Sequence, residues 1–345
     1  MRPLAKCSGF TARRSFLKTL AIAGAAGISG IRPALAAAEP PPETTRLRLG
    51  KLSSLCVAPQ YVAHELLLAE GFKDIEYIGD QLSSAGLPGA RAMAAGQFDV
   101  SMNFAAPLVL GLDENLPIVL LGGVHAGCFE LFATDKVRSI GDLKGKTVAI
   151  PGLGSVPHVF LASIATSVGI DPASDINWTI QPAAESKKLL AEGKVDAFLA
   201  FPPDPQELRA KRIGRVVLNT AVDRPWSQYF CCLVAANRDF ARKHPVATRR
   251  ALRAILKSTD ICASDPARAV SAYLKLAYPA NAEYARQAIA ELPYRRWREY
   301  NPEETVRFYA LRLREANMVK GAPQKLIAQG TDWRFLNELK KELKA

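Results

Sequence analysis

Lys146-Thr147-Val148-Ala149-Ile150-Pro151-Gly152-Leu153-Gly154-Ser155-Val156-Pro157 decides the fold class. Its first five residues are a short run suited to a buried strand. Residues 151–155 make a tight loop. Ser155 is placed to cap a helix running to residue 168, with Pro157 in the first turn, where a missing N–H costs nothing. Strand, tight loop and helix in that order are the unit of an α/β protein with mainly parallel sheets.

The unit recurs on both sides. Upstream, residues 46–52 alternate polar and apolar as a strand should, Ser53, Ser54 and Cys56 form a loop, and 59–70 read as a helix closed by Gly71. Strand 75–78, helix 90–95 ended by Gly96, strand 99–102, helix 105–112 and strand 118–122 follow. A second series has a turn at 139–143 capped by Ser139, then strands 146–150, 176–180, 195–201 and 215–218, with a helix at 184–192. Strand 229–235 leads into a helix-rich tail from about Pro245. In that tail Asn301-Pro302-Glu303-Glu304 sets out cap, proline and glutamate in the order of a helix start.

The other end of the chain reads differently. Arg13-Arg14-Ser15-Phe16-Leu17-Lys18 precedes a weakly apolar run at 19–31, and Ala34-Leu35-Ala36 supplies small residues for cleavage. This is the order of a secretory signal, and the twin arginine points to the route for folded cargo. A run of about 13 apolar residues is too short for a hydrocarbon core needing ~20. The expectation is a signal peptide over 1–36, a stiff leader at 39–45 carrying Pro40, Pro41 and Pro42, and a soluble periplasmic protein. The 1–36 segment holds six of the cations and no acid, so the net charge of +12 falls to +6 without it. No basic block with interleaved aromatics is present, which disfavours nucleic acid. Nucleophile elbow, P-loop and complete dinucleotide fingerprint are all missing.

Four stretches carry a family resemblance. The first strand with Cys56-Val57-Ala58-Pro59, Gly96-Gln97-Phe98-Asp99-Val100, Ser139 through Ile150, and Leu189-Leu190-Ala191-Glu192-Gly193-Lys194-Val195-Asp196-Ala197 together resemble periplasmic solute-binding proteins. The nitrate, taurine and alkanesulfonate binders, with related thiamine-pyrimidine-precursor binders, are the nearest in pattern, over most of residues 45–275. The resemblance implies two α/β lobes with two crossover segments, near 127–130 and 231–233. Lobe 1 would be 45–128 plus 233–345 and lobe 2 129–232. It also implies a small anionic solute, an ABC permease and ATPase as partners, a monomer, no cofactor and no enzymatic step. Some relatives of this fold make the thiamine pyrimidine and carry a run of cysteines beside an aromatic, of which Phe230-Cys231-Cys232 is a fragment. An enzyme or a periplasmic sensor is therefore the alternative.

Strand-to-helix loops present free N–H groups to anions. Gly154 and Ser155 are the best such site, although capping alone would also explain them, and Ser53 and Ser54 face them. Pro59, Asn103, His125, His158 and Phe201 complete the expected ligand-binding set; His158 sits one turn into the helix after Ser155. The late aromatics Tyr294, Trp297, Tyr300, Phe308 and Tyr309 read as helix packing with snorkelling arginines. Beyond the leader there are five cysteines: Cys56, Cys128, Cys231, Cys232 and Cys262. If the crossovers lie side by side, Cys128, next to His125, approaches Cys231 and Cys232, with Cys56 facing them across the cleft. A soft metal could then bind, but no zinc spacing occurs and free cysteine usually behaves as a small buried residue. No metal is expected, and the sequence leaves their pairing open.

Overall fold

The computed structural model describes residues 39–80 and 85–343, so the expected signal, including Arg13-Arg14, lies outside the described residues. In chain order the strands are β1 (Arg46–Gly50), β2 (Asp74–Ile78), β3 (Val100–Phe104), β4 (Ile118–Ala126), β5 (Glu130–Ala133), β6 (Thr147–Ile150), β7 (Asn177–Ile180), β8 (Ala197–Ala200), β9 (Arg215–Asn219) and β10 (Phe230–Asn237). They form two five-stranded sheets, ordered β2-β1-β3-β10-β4 and β7-β6-β8-β5-β9. With helices around each sheet and a helical C-terminal region, this is the expected two-lobed α/β architecture.

Both sheets follow one plan. β1 runs parallel to β2 and β3, and β6 parallel to β7 and β8. One antiparallel strand is then inserted in fourth place: β10 between β3 and β4, and β5 between β8 and β9. The sheets are thus mixed, not simply parallel, because the chain changes sheets twice. It leaves the first sheet at 127–129 and returns at 220–229, and each antiparallel strand is the first one made after a crossing. Cys231 to Leu233 lie inside β10, so the return crossing precedes them.

Burial is continuous along several of the strands. Every residue of β3, β4 and β5 is buried, as is every residue of β10 except Asn237 at its end. The C-terminal region packs on both lobes. The Tyr294 hydroxyl donates to the carbonyl of Cys56 at 3.1 Å, while the Tyr309 ring lies 5.2 Å from that of Phe160 in the helix after β6. The late aromatics are therefore largely packing.

The two crossings are bonded to each other. The amides of Cys128 and Phe129 donate to Thr220 Oγ1 at 3.1 and 2.9 Å, and the Thr220 amide donates to the Phe129 carbonyl at 2.9 Å. Gly127 makes this approach possible: its φ is +44°, and a Cβ there would run into the Thr220 carbonyl and the Ala221 backbone. Gly154 also has a positive φ, +78°, but open space around it. Gly154→Ala should therefore cost only left-handed strain, ~1–2 kcal/mol. Gly127→Ala adds overpacking to that strain, for a loss of roughly 2–5 kcal/mol. Urea denaturation of both variants checks this; equal losses would mean that the contact between the crossings carries no weight.

Candidate functional site

A cleft of about 940 Å³ opens between the sheets. Parallel strands deliver their C-terminal ends to the same side, where open α/β sheets bind ligands. Ser53 and Ser54 enter the cleft after β1, Phe104 at the end of β3, residues 151–157 after β6, Pro182 after β7, and Phe201 with Asp204 after β8. Tyr278, Asn281 and Tyr284 reach it from the C-terminal region.

The helix starts around this cleft share a property. A 3₁₀ turn (Leu55–Val57) and five α-helices (Gly86–Ala94, Ala105–Asp113, Val156–Thr166, Ala183–Ala191 and Asp204–Lys211) have as N-caps Ser54, Ala85, Phe104, Ser155, Pro182 and Pro203. All six N-caps line the cleft, and none makes a side-chain capping bond. Side-chain oxygens of Asn237, Asp265, Asn281 and Asn301 cap four other helices, Asn281 at the cleft itself, while the helix starts at Val57, Ala63, His244, Ala322 and Trp333, away from the cleft, also lack a side-chain cap. First-turn amides have no acceptor within their own helix. Three of the first amides are taken by other elements, Leu55 by the Pro202 carbonyl at 3.2 Å, Gly86 by Asn103 Oδ1 at 3.0 Å and Asp204 by the Phe201 carbonyl at 3.1 Å; the remaining first-turn amides and the positive ends of the helix dipoles face the cleft.

Ser155 is the telling case. Expected as a cap, its hydroxyl caps nothing: it is buried with no hydrogen-bond partner among the described residues. Gly154, expected to offer its amide, gives it instead to Nδ1 of His158 at 3.0 Å. His158 is thus turned inward, its ring 4.9 Å from that of Trp178, and burial lowers its pKa below the ordinary histidine value. Its work is to hold the loop.

Ser53, Ser54, Gly154, Ser155 and Phe201 line the cleft, whereas Pro59, Asn103, His125 and His158 stand behind its wall. Asn103 accepts from the amides of Gly86 at 3.0 Å and Phe104 at 2.8 Å, and donates to the Gly86 carbonyl at 3.1 Å. It fixes two of the helix starts without facing a solute. Pro59 is buried in the first turn of helix Ala58–Val62.

Sequence reasoning passed over the charged members of the wall. Lys187 contacts Asp204 at 2.7 Å and also Glu207, which pairs with Lys211 at 2.5 Å; Arg91 is paired with Glu114 at 2.6 Å. Each of these cations in the wall has an acidic partner. Phe201-Pro202-Pro203-Asp204 was the available signal, since a strand running straight into a helix start repeats the pattern of 146–157.

Beneath Ser54 lies a second group. Ser54 Oγ is 3.0 Å from Cys56 Sγ, which is 3.8 Å from Cys232 Sγ, and the ligand atoms of Cys56, Cys232 and His125 all lie within 4.8 Å of one another. Cys128 and Cys231 meet at 2.9 Å; all five described cysteines are free and buried.

The profile of the NMT1-like family matches residues 40–276. No curated protein matches the chain by sequence. Among solved structures, the alkanesulfonate-binding protein of Xanthomonas axonopodis pv. citri bound to MOPS superposes with a TM-score of 0.65 at 17% identity, covering 84% of this chain and 99% of that one. The periplasmic nitrate-binding protein of Synechocystis PCC 6803 gives 0.67 at 13%, covering 88% and 90%. The periplasmic aliphatic sulphonate-binding protein of Escherichia coli gives 0.63 at 19%, covering 82% and 91%. At these identities the likeness is one of fold.

One buried carboxylate joins β5 to the C-terminal region. Glu130 accepts from Arg209 Nη1 at 2.8 Å, and Arg209 Nη2 also bonds Glu291 at 2.5 Å. Burial pushes the Glu130 carboxyl up to about 7; Arg209 opposes the rise and Glu291 adds to it. Between about 4.5 and about 7 the folded protein thus binds more protons than the unfolded chain. Glu130 therefore subtracts stability progressively as pH rises through that window and changes little above it. Stability measured against pH for wild type and Glu130→Gln should diverge across the window, the wild type losing ground. Parallel curves would mean an ordinary carboxyl.

Proposed function

The chain belongs to the NMT1-like family, and from that premise we propose that it is the solute-binding component of an ABC importer, holding one small organic anion between its lobes and passing it to a permease coupled to an ATPase. The observation that carries this reading is the ring of six helix and turn starts at the cleft with no side-chain cap. An anion there supplies acceptors for the first-turn amides still unbonded, and a wall whose cations are already paired leaves recognition to the backbone.

The rest of the lining suggests the body of the solute. Leu87, Phe104, Leu153, Phe201, Tyr278 and Tyr284 make much of the wall apolar or aromatic. A cleft of about 940 Å³ is near the upper end for small-molecule sites, and a bare inorganic anion would leave most of it unfilled. A sulfonate or carboxylate with an aliphatic or aromatic body suits it better than nitrate. In this reading the protein works by lobe closure about 127–129 and 220–229, with binding shifting an open–closed equilibrium. No covalent step is involved.

No helix among the described residues is long and apolar enough to cross a membrane, which fits a periplasmic site of action. We assign export to the twin-arginine route on the strength of Arg13-Arg14. Replacing both with Lys should hold precursor in the cytoplasm; normal periplasmic delivery of that variant would remove the assignment.

The cleft is tested by a thermal-shift panel of nitrate, alkanesulfonates and aromatic and aliphatic carboxylates, since a ligand of the native state raises Tm by mass action. Organic anions should raise Tm and nitrate should not. Calorimetry with the best ligand then compares two variants. Ser155→Asp puts a negative charge at the N-terminus of helix Val156–Thr166 and should weaken binding about ten- to a hundredfold, the worth of one charged hydrogen bond. Ser155→Ala should weaken it less, and stability should shift by under ~0.5 kcal/mol because no capping bond is lost. Equal affinity for wild type and Ser155→Asp would place the anion elsewhere.

A further inference from the structure

Cys56, Cys232 and His125 come from three separate parts of the first lobe: the 3₁₀ turn after β1, β10, and the end of β4. Cys232 and His125 are paired residues of neighbouring strands, so the sheet itself sets their spacing. All three are wholly buried. Three features of the group go beyond packing.

The first is the sulfur spacing. Two sulfurs bound tetrahedrally to one zinc ion, each at about 2.3 Å, lie about 3.8 Å apart; the Cys56 and Cys232 sulfurs are 3.8 Å apart. The second is the histidine tautomer. His125 Nδ1 lies 3.2 Å from the Ala126 carbonyl, and a carbonyl can only accept, so Nδ1 carries the proton. In the neutral ring Nε2 is then left with a free lone pair, the arrangement that fixes metal-ligating histidines. The third is that Nε2 is buried with no hydrogen-bond partner among the described residues, an uncompensated position for a polar atom.

We propose that Cys56 Sγ, Cys232 Sγ and His125 Nε2 form a binding site for one soft d10 cation, zinc(II) or copper(I), behind the floor of the cleft. Soft thiolates with imidazole select such ions over magnesium or calcium. Two thiolates and a neutral imidazole around zinc(II) leave no net charge in a dry interior, and three ligands alone satisfy copper(I). Cys128 also borders Cys56 and Cys232, but its sulfur meets that of Cys231 at 2.9 Å, where two sulfurs are too close for both to hold one ion. Ser54 Oγ, 3.0 Å from Cys56 Sγ and also part of the cleft lining, makes the site a neighbour of the solute cleft, although the proposal stands without any solute.

The test uses the exported protein, purified without oxygen and stripped with a chelator. Zinc(II) and copper(I) are titrated separately, with magnesium as the hard-ion control. Native mass spectrometry should show one equivalent of zinc or copper and none of magnesium. Cobalt(II) should give a thiolate charge-transfer band. Cys56→Ser, Cys232→Ala and His125→Gln should each weaken binding by more than about 100-fold, since even supporting residues cost 10–100-fold, while Cys262→Ala should not. Circular dichroism of each variant separates loss of metal from loss of fold, and the wild-type titration decides the matter if one variant does not fold. Failure of both ions to bind the wild type at one equivalent, binding indifferent to the three ligand replacements, or a disulfide between Cys56 and Cys232 in the exported protein would overturn the site.

Discussion

The contact between the two crossings constrains everything else. Gly127 lets the backbone of one lie against Thr220 and Ala221 of the other, and Thr220 Oγ1 then accepts from the amides of Cys128 and Phe129, which lead into β5. Held side by side, the two crossings keep the helix starts of both sheets facing a common space. The glycine is needed because no Cβ fits there and because its φ is positive.

Much of the architecture was legible because strand, loop and helix leave different marks. The run at 146–150 is too short and apolar for a surface helix, and Ser155-Val156-Pro157 states a helix start. β5 was illegible for a physical reason. Glu130 to Ala133 is buried on both faces, so no alternation marks it, and the apolar stretch before it hides where one strand ends and the next begins. The inserted antiparallel strands were equally hidden, since direction within a sheet depends on where the chain crosses and not on local pattern.

The candidate site was half legible. Residue type located the loops that meet at the cleft, but not which atoms remain free once the loops fold. The loop sequence points to the Gly154 amide, yet His158, only four residues on, takes it; it points to Ser155 partly as a cap, yet that hydroxyl is unused. Asn103 and His125 are polar and close by, but each is turned from the cleft by the backbone groups it bonds. Tyr278 and Asn281 arrive from far along the chain, where nothing local announces a cleft. Composition could not show that Lys187, Lys211 and Arg91 are all matched by acids.

The exchange of strands has a consequence for how the chain is made. β4 leaves the ribosome well before β10, its partner in the first sheet, and the whole second sheet lies between them. Until β10 arrives, β3 and β4 present unpaired edges that are wholly buried in the finished fold. Long-range pairings of this kind slow folding and prolong exposure of sticky intermediates. The first lobe therefore keeps the edges of β3 and β4 open until residue 237 has been made, however complete the second sheet.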